Sequence, residues 1–454
     1  MNIDRHTLRD LEIFDSGSGR SGVFQVIDST RTTVGSSVLK YWLEHPLSEP
    51  HAIMQRQEAQ TYIAHSRVPF FTTPRDLLSA LAYLDSNIQR PAASRTWRDG
   101  PRAIWLAVRY RTVYREIKNG VSATASLLRQ ADGFLARIGA EEAPATFRSD
   151  LLEVREQLGE AEMRRAMSPG AAGPFTTYRR DRIFRSTRVA AVRRVVDLAG
   201  QVDALLAAHE MSARLGFQYP KPVSDSGFRL RAQGLFHPFL PDAVRNDAEL
   251  SHCDRVLFLT GPNMAGKTTY LKTVGIVLLL AQAGLPVPAR RLSFTPVDFL
   301  ITGIRTEDNL RRGLSYFMAE VVRVRVAAEV LATGARALVL FDEIFKGTNV
   351  RDALEASESV IRGFAKSQCS GFIFASHLTE LAAALEGAPG LRFGRFEPPP
   401  SDDPRRFPYE LAEGVSDQRF GLQLLEREGV PDLLGRIGRI PPEGDGATEQ
   451  QEEP

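Results

Sequence analysis

A short glycine-rich run near the middle of the chain constrains the fold more than any other feature. Residues 261–269 read Gly-Pro-Asn-Met-Ala-Gly-Lys-Thr-Thr and complete the pattern G-x-x-x-x-G-K-[ST]. An apolar stretch of strand length, 255–260, precedes the run, and an apolar stretch of helical length, 270–279, follows it. This order of strand, loop and helix is typical of a phosphate-binding loop. The alternative is a chance match in a turn before an ordinary core helix, and the two flanking elements argue against it.

Each residue type in the run has a defined chemical part. Glycines at 261 and 266 let consecutive backbone N–H groups point into one hollow, to which the next helix adds a positive N-terminal end. Lys267 is predicted to reach the β- and γ-phosphates of ATP, and the Thr268 hydroxyl to bind Mg²⁺. The predicted nucleotide-binding residues of the run are Gly261, Pro262, Asn263, Met264, Ala265, Gly266, Lys267, Thr268 and Thr269.

Length and composition set outer limits. A chain of 454 residues suffices for two or three domains, and its 57 basic and 55 acidic residues nearly cancel, so net charge indicates no class of partner. With Cys253 and Cys369 alone, neither a disulfide framework nor a cysteine-based zinc site is credible. The N-terminus lacks the pattern of a signal peptide, and the longest apolar helix candidate, from Val274 into Ala283, is too short to span a bilayer. We therefore expect a soluble cytoplasmic protein without membrane contact.

Hydrophobic spacing divides the chain into two main regions. From Thr30 to about Gly216, apolar residues recur at three- and four-residue spacing, as at 38–43 and 151–158, which predicts helices. From Gly227 onward, β-rich runs at 256–260, 299–302, 337–341 and 371–375 alternate with helices, which is typical of an α/β domain with a largely parallel sheet. We predict a helical domain at 1–216, an α/β ATPase domain at 217–438 and a disordered acidic tail at 439–454.

Two further strand ends carry polar residues suited to phosphate chemistry. Asp342 and Glu343 end the strand at 337–341, and open α/β sheets bind ligands at that edge. Asp342 is predicted to hold the Mg²⁺ shell, and Glu343 to orient and deprotonate the attacking water. His377 follows the next strand and is predicted to sense the γ-phosphate. Taken alone, the two acids fit solvated loop residues and His377 fits a structural histidine; the phosphate-loop pattern upstream favours the catalytic interpretation.

Together these segments resemble the ATPase domain of the MutS family, the DNA mismatch repair ATPases related to ABC proteins. The matching segments are GPNMAGKTT at 261–269, RRGLSYFMAE at 311–320, LVLFDEIFKGTN at 338–349 and FASHLTEL at 374–381. Similarity continues upstream at 29–47, which resembles the start of the family's helical core and lever domain. The resemblance therefore implies an ABC-type P-loop ATPase domain behind an N-terminal all-α core and lever domain.

The resemblance also implies a composite active site in a homodimer. Ser315 matches the signature serine that the family lends to the partner subunit's γ-phosphate, while 347–349 and Asp352 match a loop that crosses the dimer interface. Tyr409 falls where the family stacks an aromatic or histidine ring on adenine. Taken alone, Ser315 fits a helix N-cap and Tyr409 a core-edge aromatic.

Departures from the family pattern predict a reduced DNA-reading apparatus. The helical core begins almost at residue 1, no G-x-F-x-E element is present, and the interval from about Leu78 to Gly216 is short. We expect the family's mismatch-reading and connector domains to be absent and its clamp to be reduced or absent, so that this chain does not read mismatches directly.

An arginine-rich stretch between Met163 and Val195 offers another route to nucleic acid. It is interleaved with aromatic residues, and arginines of this kind neutralise backbone phosphates in a salt-sensitive manner. A solvated helix face in an arginine-rich protein is an equally good interpretation. The candidate DNA-binding patch comprises Arg164, Arg165, Arg179, Arg180, Arg182 and Arg185.

The predicted function is a Mg²⁺-dependent MutS-like ATPase whose homodimer closes on ATP and drives conformational change on DNA in mismatch repair or recombination. The alternative is an ATP-switched clamp for a protein or ribonucleoprotein partner. A degenerate, inactive ATPase is disfavoured because the side chains predicted to act on ATP are all present, namely Lys267, Thr268, Asp342, Glu343 and His377. The predicted catalytic residues are Glu343, His377, Lys267 and Ser315, and the predicted metal ligands are Thr268 and Asp342.

Overall fold

Strands and helices separate along the chain into a helical part and an α/β part in the computed structural model. The structure describes residues 1–15, 22–70, 72–94, 99–170, 173–225, 227–240, 242–304, 316–399, 407–416 and 429–437. The predicted tail at 439–454 and the predicted signature residue Ser315 lie outside these ranges, and their predictions stay untested.

The helical part contains most of the helices. They are α1 (Arg5–Asp10), α2 (Val23–Ile27), α3 (Thr33–Glu44), α4 (Pro50–His65), α5 (Pro74–Leu84), α6 (Asp99–Arg109), α7 (Arg111–Arg137), α8 (Ala145–Gly159), α9 (Ala161–Met167), α10 (Pro174–Arg182) and α11 (Val189–Leu215). A short 3-10 turn at Ala140–Glu142 and a π-helical turn at Ile183–Thr187 join neighbouring helices. The prediction of helices around 38–43 and 151–158 is confirmed by α3 and α8.

The α/β part alternates strands with helices. Its helices are α12 (Lys267–Gln282), α13 (Tyr316–Ala332), α14 (Val350–Phe364), α15 (Thr379–Leu385) and α16 (Val430–Arg436). The strands, numbered from the N-terminus, are β1 (Asn2–Ile3), β2 (Lys221–Pro222), β3 (Arg229–Leu235), β4 (Asn246–Ser251), β5 (Val256–Thr260), β6 (Arg291–Phe294), β7 (Phe299–Gly303), β8 (Ala337–Asp342), β9 (Gly371–Ala375), β10 (Leu391–Phe396) and β11 (Leu411–Glu413).

One sheet forms the centre of the α/β part. Among the described residues it has seven strands in the order β1-β7-β8-β9-β5-β10-β11, and only the β10–β11 pair is antiparallel. Every residue of β5 and β9 is buried, as expected for parallel strands covered on both faces. The predictions of a largely parallel sheet and of its four strands are therefore confirmed.

Several strands lie outside the sequence predictions. A second sheet has the order β2-β6-β3-β4, with antiparallel pairing on both sides of β3. Buried and exposed residues alternate along most of β3, which is the pattern of a sheet with one face in the core. At the N-terminus, β1 pairs with β7, so the first residues of the predicted helical domain extend the α/β sheet.

A buried acid fixes the start of α3 in the helical part. Asp203 of α11 accepts hydrogen bonds from the backbone N–H groups of Arg31 and Thr32 and from the Thr32 hydroxyl, at 2.7–3.1 Å. Gly35 is required beside it, because a Cβ atom there would lie 2.3 Å from an Asp203 oxygen. The two helices therefore approach closely at a point where a carboxylate accepts hydrogen bonds from Thr32, the N-cap of α3, and from Arg31 before it.

The C-terminal end of α12 joins the two parts. Arg56 and Gln60 of α4 donate to the carbonyl oxygens of Ala283 and Gly284 at 2.8 and 2.6 Å. In return, the buried Gln282 amide donates to the Leu47 carbonyl at 2.7 Å. The helix that follows the glycine loop is therefore hydrogen-bonded at its far end to the helical part.

Candidate functional site

The glycine loop lies between β5 and α12, as the sequence predicts. Gly261 and Gly266 have φ angles of 140° and 107°, which disfavour any residue with a Cβ atom. A Cβ atom at Gly261 would also lie 2.8 Å from the Phe396 carbonyl oxygen. Met264 has a φ of 70° and is 80% exposed, so it stands out from the loop into solvent. The loop thus has the backbone turn that the pattern requires.

Lys267 is buried under this loop. Its ammonium group donates to the carbonyl oxygens of Gly261 and Pro262 at 2.7 and 3.0 Å. Burial lowers the pKa of Lys267, whereas the charges of Glu343 and Asp342 oppose that shift. A buried cation whose hydrogen bonds go to neutral carbonyl oxygens attracts an anion placed above the loop.

Thr268 and Asp342 meet where a divalent cation is predicted. The Thr268 hydroxyl donates to one Asp342 carboxylate oxygen at 2.5 Å, and the other oxygen, Oδ1, is buried with no hydrogen-bond partner among the described residues. Burial raises the pKa of Asp342, against the opposing effect of the Thr268 hydrogen bond. A hydroxyl and an orphaned carboxylate oxygen are hard ligands suited to Mg²⁺, so these residues fit the predicted metal.

Glu343 is engaged by two positively charged or protonatable side chains. Its carboxylate pairs with the Lys346 ammonium group, and Nδ1 of His377 lies 3.4 Å from its other oxygen. Burial raises the pKa of Glu343, but His377 and Lys346 outweigh burial and bring it to about 2. A carboxylate with so low a pKa is a weak base. Both contacts favour the charged form of this carboxylate, and the role of Glu343 as a base stays a prediction.

Glu320 is a functional candidate that the sequence reasoning missed. This buried residue of α13 lies near the backbone N–H groups of Gly347, Phe345 and Lys346, whose hydrogen bonding favours its charged form, and its Oε2 is buried with no hydrogen-bond partner among the described residues. Phe345 has a φ of 65°, and its ring lies 5.7 Å from that of Phe317, one helical turn before Glu320. Burial raises the pKa of Glu320 to about 7 in spite of those hydrogen bonds. The signal in the sequence was the three-residue spacing that puts 317 and 320 on one helix face.

A cavity of 560 Å³ opens above these residues. It is lined on one side by the glycine loop and Glu343, and on the other by Phe236, Leu240 and Tyr409. Tyr409 has a φ of 57°, and its carbonyl oxygen accepts a bond of 2.9 Å from the Asn246 amide. The volume is that of a small-molecule site with a polar and an apolar end. Adenine stacking on Tyr409 stays a prediction.

The arginine-rich stretch is largely tied to acids. Arg182 bonds Asp99 at 2.5 Å, and Arg185 bonds both oxygens of Asp181 at 2.6 and 2.8 Å. Both arginines are buried. The prediction that Arg182 and Arg185 contact DNA is therefore wrong, because each guanidinium is used inside the fold.

The rest of that candidate patch is mixed. Arg180 is half-buried and donates to the Ser168 carbonyl at 2.5 Å. Arg164 and Arg165 are exposed and Arg179 is half-buried, so their DNA contacts stay a prediction.

Two kinds of feature, a membrane-spanning helix and a cluster of metal ligands, are absent from the residues that the structure describes. No helix in the ranges that the structure describes is long and apolar enough to cross a bilayer. Within the same ranges, no three His, Cys, Asp or Glu side chains cluster as a metal site.

Comparison with known families covers both parts of the chain. The family model for MutS domain III matches residues 6–208, and the family model for MutS domain V matches residues 257–437.

Among similar proteins, DNA mismatch repair protein MutS of Chlorobium chlorochromatii is 25% identical over 97% of this chain and 61% of its own length. The protein of the same name from Thermotoga maritima is 25% identical over 96% of this chain and 64% of its own length. Endonuclease MutS2 of Thermus thermophilus is 31% identical over 58% of this chain and 34% of its own length. The chain therefore spans less than two thirds of the length of these relatives. Since domain models of one family match its helical part and its α/β part, the chain belongs to the MutS family.

Proposed function

We propose that this chain is a Mg²⁺-dependent P-loop ATPase of ABC type, which acts as a homodimer and couples ATP hydrolysis to conformational change on DNA. The observation that carries the proposal is the contact of Thr268 with Asp342. It joins the end of the glycine loop to the end of β8, and it leaves one buried carboxylate oxygen without a partner among the described residues. A purely structural pair would satisfy both oxygens.

Each side chain near this contact has a distinct part in the proposal. Thr268 and Asp342 would hold Mg²⁺, which when bound supplies positive charge against the phosphate oxygens. Lys267 would exchange its bonds with Gly261 and Pro262 for bonds with phosphate, since charged acceptors form stronger bonds than carbonyls.

Glu343 would orient water and take its proton after Lys346 leaves the carboxylate. His377 would remain in hydrogen-bond reach of both Glu343 and the terminal phosphate. In this proposal the Glu343–Lys346 pair belongs to the resting state of the site. Nucleotide binding or dimer closure would separate Lys346 from Glu343, so that the carboxylate can accept a proton.

The dimer is proposed on the family resemblance. Ser315, the loop at 347–349 and Asp352 would complete the site of the partner subunit. The bond between Asn349 and the Asp352 backbone N–H, at 3.0 Å, caps α14 and gives that loop a defined shape. DNA mismatch repair is named in the relatives from Chlorobium chlorochromatii and Thermotoga maritima. It enters here, with DNA binding, as the proposed purpose of the ATPase cycle.

Two substitutions test the assignment of the base and of the phosphate ligand. Glu343→Gln is expected to bind ATP normally but to lower the turnover rate about 10²- to 10⁴-fold, because only the proton acceptor is lost. Lys267→Ala is expected to lose ATP binding itself. Fluorescent-nucleotide titration and single-turnover hydrolysis measure the two quantities separately.

Glu355→Gln is the matched control, since it removes the same charge from an exposed residue that pairs with Arg351 on α14. Turnover in Glu343→Gln equal to that of the control would contradict the base assignment. ATP binding that survives in Lys267→Ala would contradict the phosphate loop itself.

A further inference from the structure

We propose that the corner between α6 and α7 binds a single-stranded polynucleotide, and that, on the proposed function, this corner is where the protein holds DNA. The corner is defined by Arg102, Trp105, Arg109, Tyr110, Arg111 and Arg115. It lies in the helical part, where α6 and α7 pack against α10 of the arginine-rich stretch.

Large apolar side chains are exposed at this corner. Trp105 is 57% exposed and Tyr110 is 45% exposed, and Ile104 and Val108 are exposed on the same helix face. The Trp105 and Tyr110 rings meet edge to face with centroids 4.8 Å apart. Two adjoining aromatic rings with accessible surface form a platform on which unpaired bases stack.

Positive charge surrounds the rings. Residues 100–118 contain five basic side chains, Arg102, Arg109, Arg111, Arg115 and Lys118, and one acid, Glu116, which gives a net charge of +4. All five basic side chains are exposed, and none forms an ion pair with a described residue. In addition, the N-cap of α7, Tyr110, makes no side-chain cap hydrogen bond, so the N-terminal N–H groups of α7 add attraction for phosphate.

The corner is at the N-terminal end of α7. Ile138, just after α7, accepts a hydrogen bond from Tyr62 of α4, the helix that also bonds Ala283 and Gly284 beside the α/β part. From there α7 runs back over 27 residues to Arg111, about 40 Å at 1.5 Å per residue. The corner therefore lies at the opposite end of α7 from the Tyr62 contact.

A polynucleotide strand fits this surface better than a second copy of the chain. A symmetric self-contact would bring the two sets of five positive charges together, which is strongly unfavourable. Duplex DNA supplies phosphates, but its bases are already stacked and offer no open ring face to Trp105. Unpaired bases with phosphates on either side match both the aromatic rings and the charges.

Fluorescence anisotropy of a labelled oligothymidylate with the full chain, over a range of salt concentrations, tests the proposal. Arg109→Ala with Arg111→Ala is expected to raise the Kd about tenfold and to lower the salt slope by about 1.4, since each phosphate contact on a single strand contributes about 0.7. Trp105→Ala is expected to raise the Kd about tenfold with an unchanged slope, because stacking releases no counterions. Trp105→Phe should restore most of the affinity.

Arg137→Ala with Arg325→Ala is the matched control for charge. Arg137 is exposed at the other end of α7, and Arg325 is exposed on α13, where it pairs with Glu329. ATP binding is measured on every variant and should equal that of the unaltered chain.

The outcomes separate this inference from the proposed function. Equal Kd values for the corner variants and the control would overturn the corner while leaving a DNA-coupled ATPase intact. An unaltered chain that hydrolyses ATP but binds no oligonucleotide would overturn both the corner and the coupling to DNA. Tighter binding of oligouridylate, with the same loss in the variants, would support the corner and move the bound strand from DNA to RNA. A change in sedimentation of Trp105→Ala without a change in Kd would overturn the proposal in favour of a self-contact.

Discussion

Two arginine-rich regions of the helical part use the same side chain in opposite ways. In the stretch at 164–194, five arginines meet carboxylates, namely Arg182, Arg185, Arg188, Arg193 and Arg194. At the α6–α7 corner, the exposed arginines meet no carboxylate of a described residue, and their neighbours are exposed aromatic rings. The first region holds helices together, whereas the second offers charge to a partner. A high number of arginines in a stretch of sequence therefore does not identify a binding surface. The two regions differ in whether carboxylates lie close enough to pair with the arginines.

The largest expected effect concerns Arg185, whose side chain is fully buried. It bonds Asp181, the Ile88 carbonyl at 2.9 Å and the Ser86 hydroxyl, and lies over the Tyr83 ring. Arg185→Ala is expected to cost about 3–5 kcal/mol of unfolding free energy, because the buried Asp181 charge loses its cationic partner and keeps the Tyr83 hydroxyl as a donor. Urea denaturation followed by circular dichroism measures this. A loss below about 1 kcal/mol would place Arg185 with the surface arginines and break the comparison.

A buried acid in the α/β part gives the next effect. The folded pKa of Glu320, about 7, is above its ordinary value of 4.5, so the folded state holds that proton more tightly than the unfolded state. This stabilisation is present below about pH 4.5 and is lost as the pH rises through 7, by about 3 kcal/mol for the whole difference. Glu320→Gln should flatten this part of the profile of unfolding free energy against pH. Parallel profiles for the variant and the unaltered chain would show that Glu320 ionises normally.

A partly exposed arginine should give a smaller effect. Arg194 bonds Asp150 at 2.5 Å and Glu153 at 3.0 Å, on α8, and all three side chains reach solvent. Arg194→Ala is expected to cost about 0.5–1 kcal/mol of unfolding free energy. Exposed ion pairs contribute little to stability, even where one arginine bonds two carboxylates. A double-mutant cycle with Asp150→Ala isolates the coupling. Coupling above about 2 kcal/mol would mean that solvent exposure is a poor guide in this stretch.

The smallest effect on stability belongs to the corner. Arg111→Ala should change the unfolding free energy by less than about 0.5 kcal/mol, because surface substitutions away from special features do little. The same variant is expected to weaken oligonucleotide binding. A stability loss like that of Arg185→Ala would show that the corner arginines are structural.

Local patterns predicted the central elements well. The unit of β5, loop and α12 follows from contiguous residues, and β8 and β9 are continuous apolar runs of strand length. Asp342, Glu343 and His377 were correctly placed at one sheet edge, because parallel strands end together there.

What escaped prediction depends on contacts between distant residues. The two residues of β1 carry no periodic signal and become a strand only by pairing with β7. Arg182 pairs with Asp99, which is 83 residues away in the sequence, and Arg193 pairs with Asp85, which is 108 residues away. A count of charges within one segment could therefore not detect either pair. The Glu343–Lys346 pair has a three-residue spacing, but the lowering of the Glu343 pKa by His377 and Lys346 depends on contacts that no segment of the sequence shows.

The helix α12 connects the glycine loop with the helical part. One end carries Lys267 beneath the glycine loop, and the other end is bonded through Gln282, Ala283 and Gly284 to the helical part. Its 16 residues make a strut of about 24 Å, buried along most of its length. A tilt of about 5° passed on to the longer α7 would move the far end of that 40 Å rod by about 3.5 Å. On the proposed function, a displacement of this size, which exceeds a hydrogen-bond length, would make or break contacts at the far end of α7.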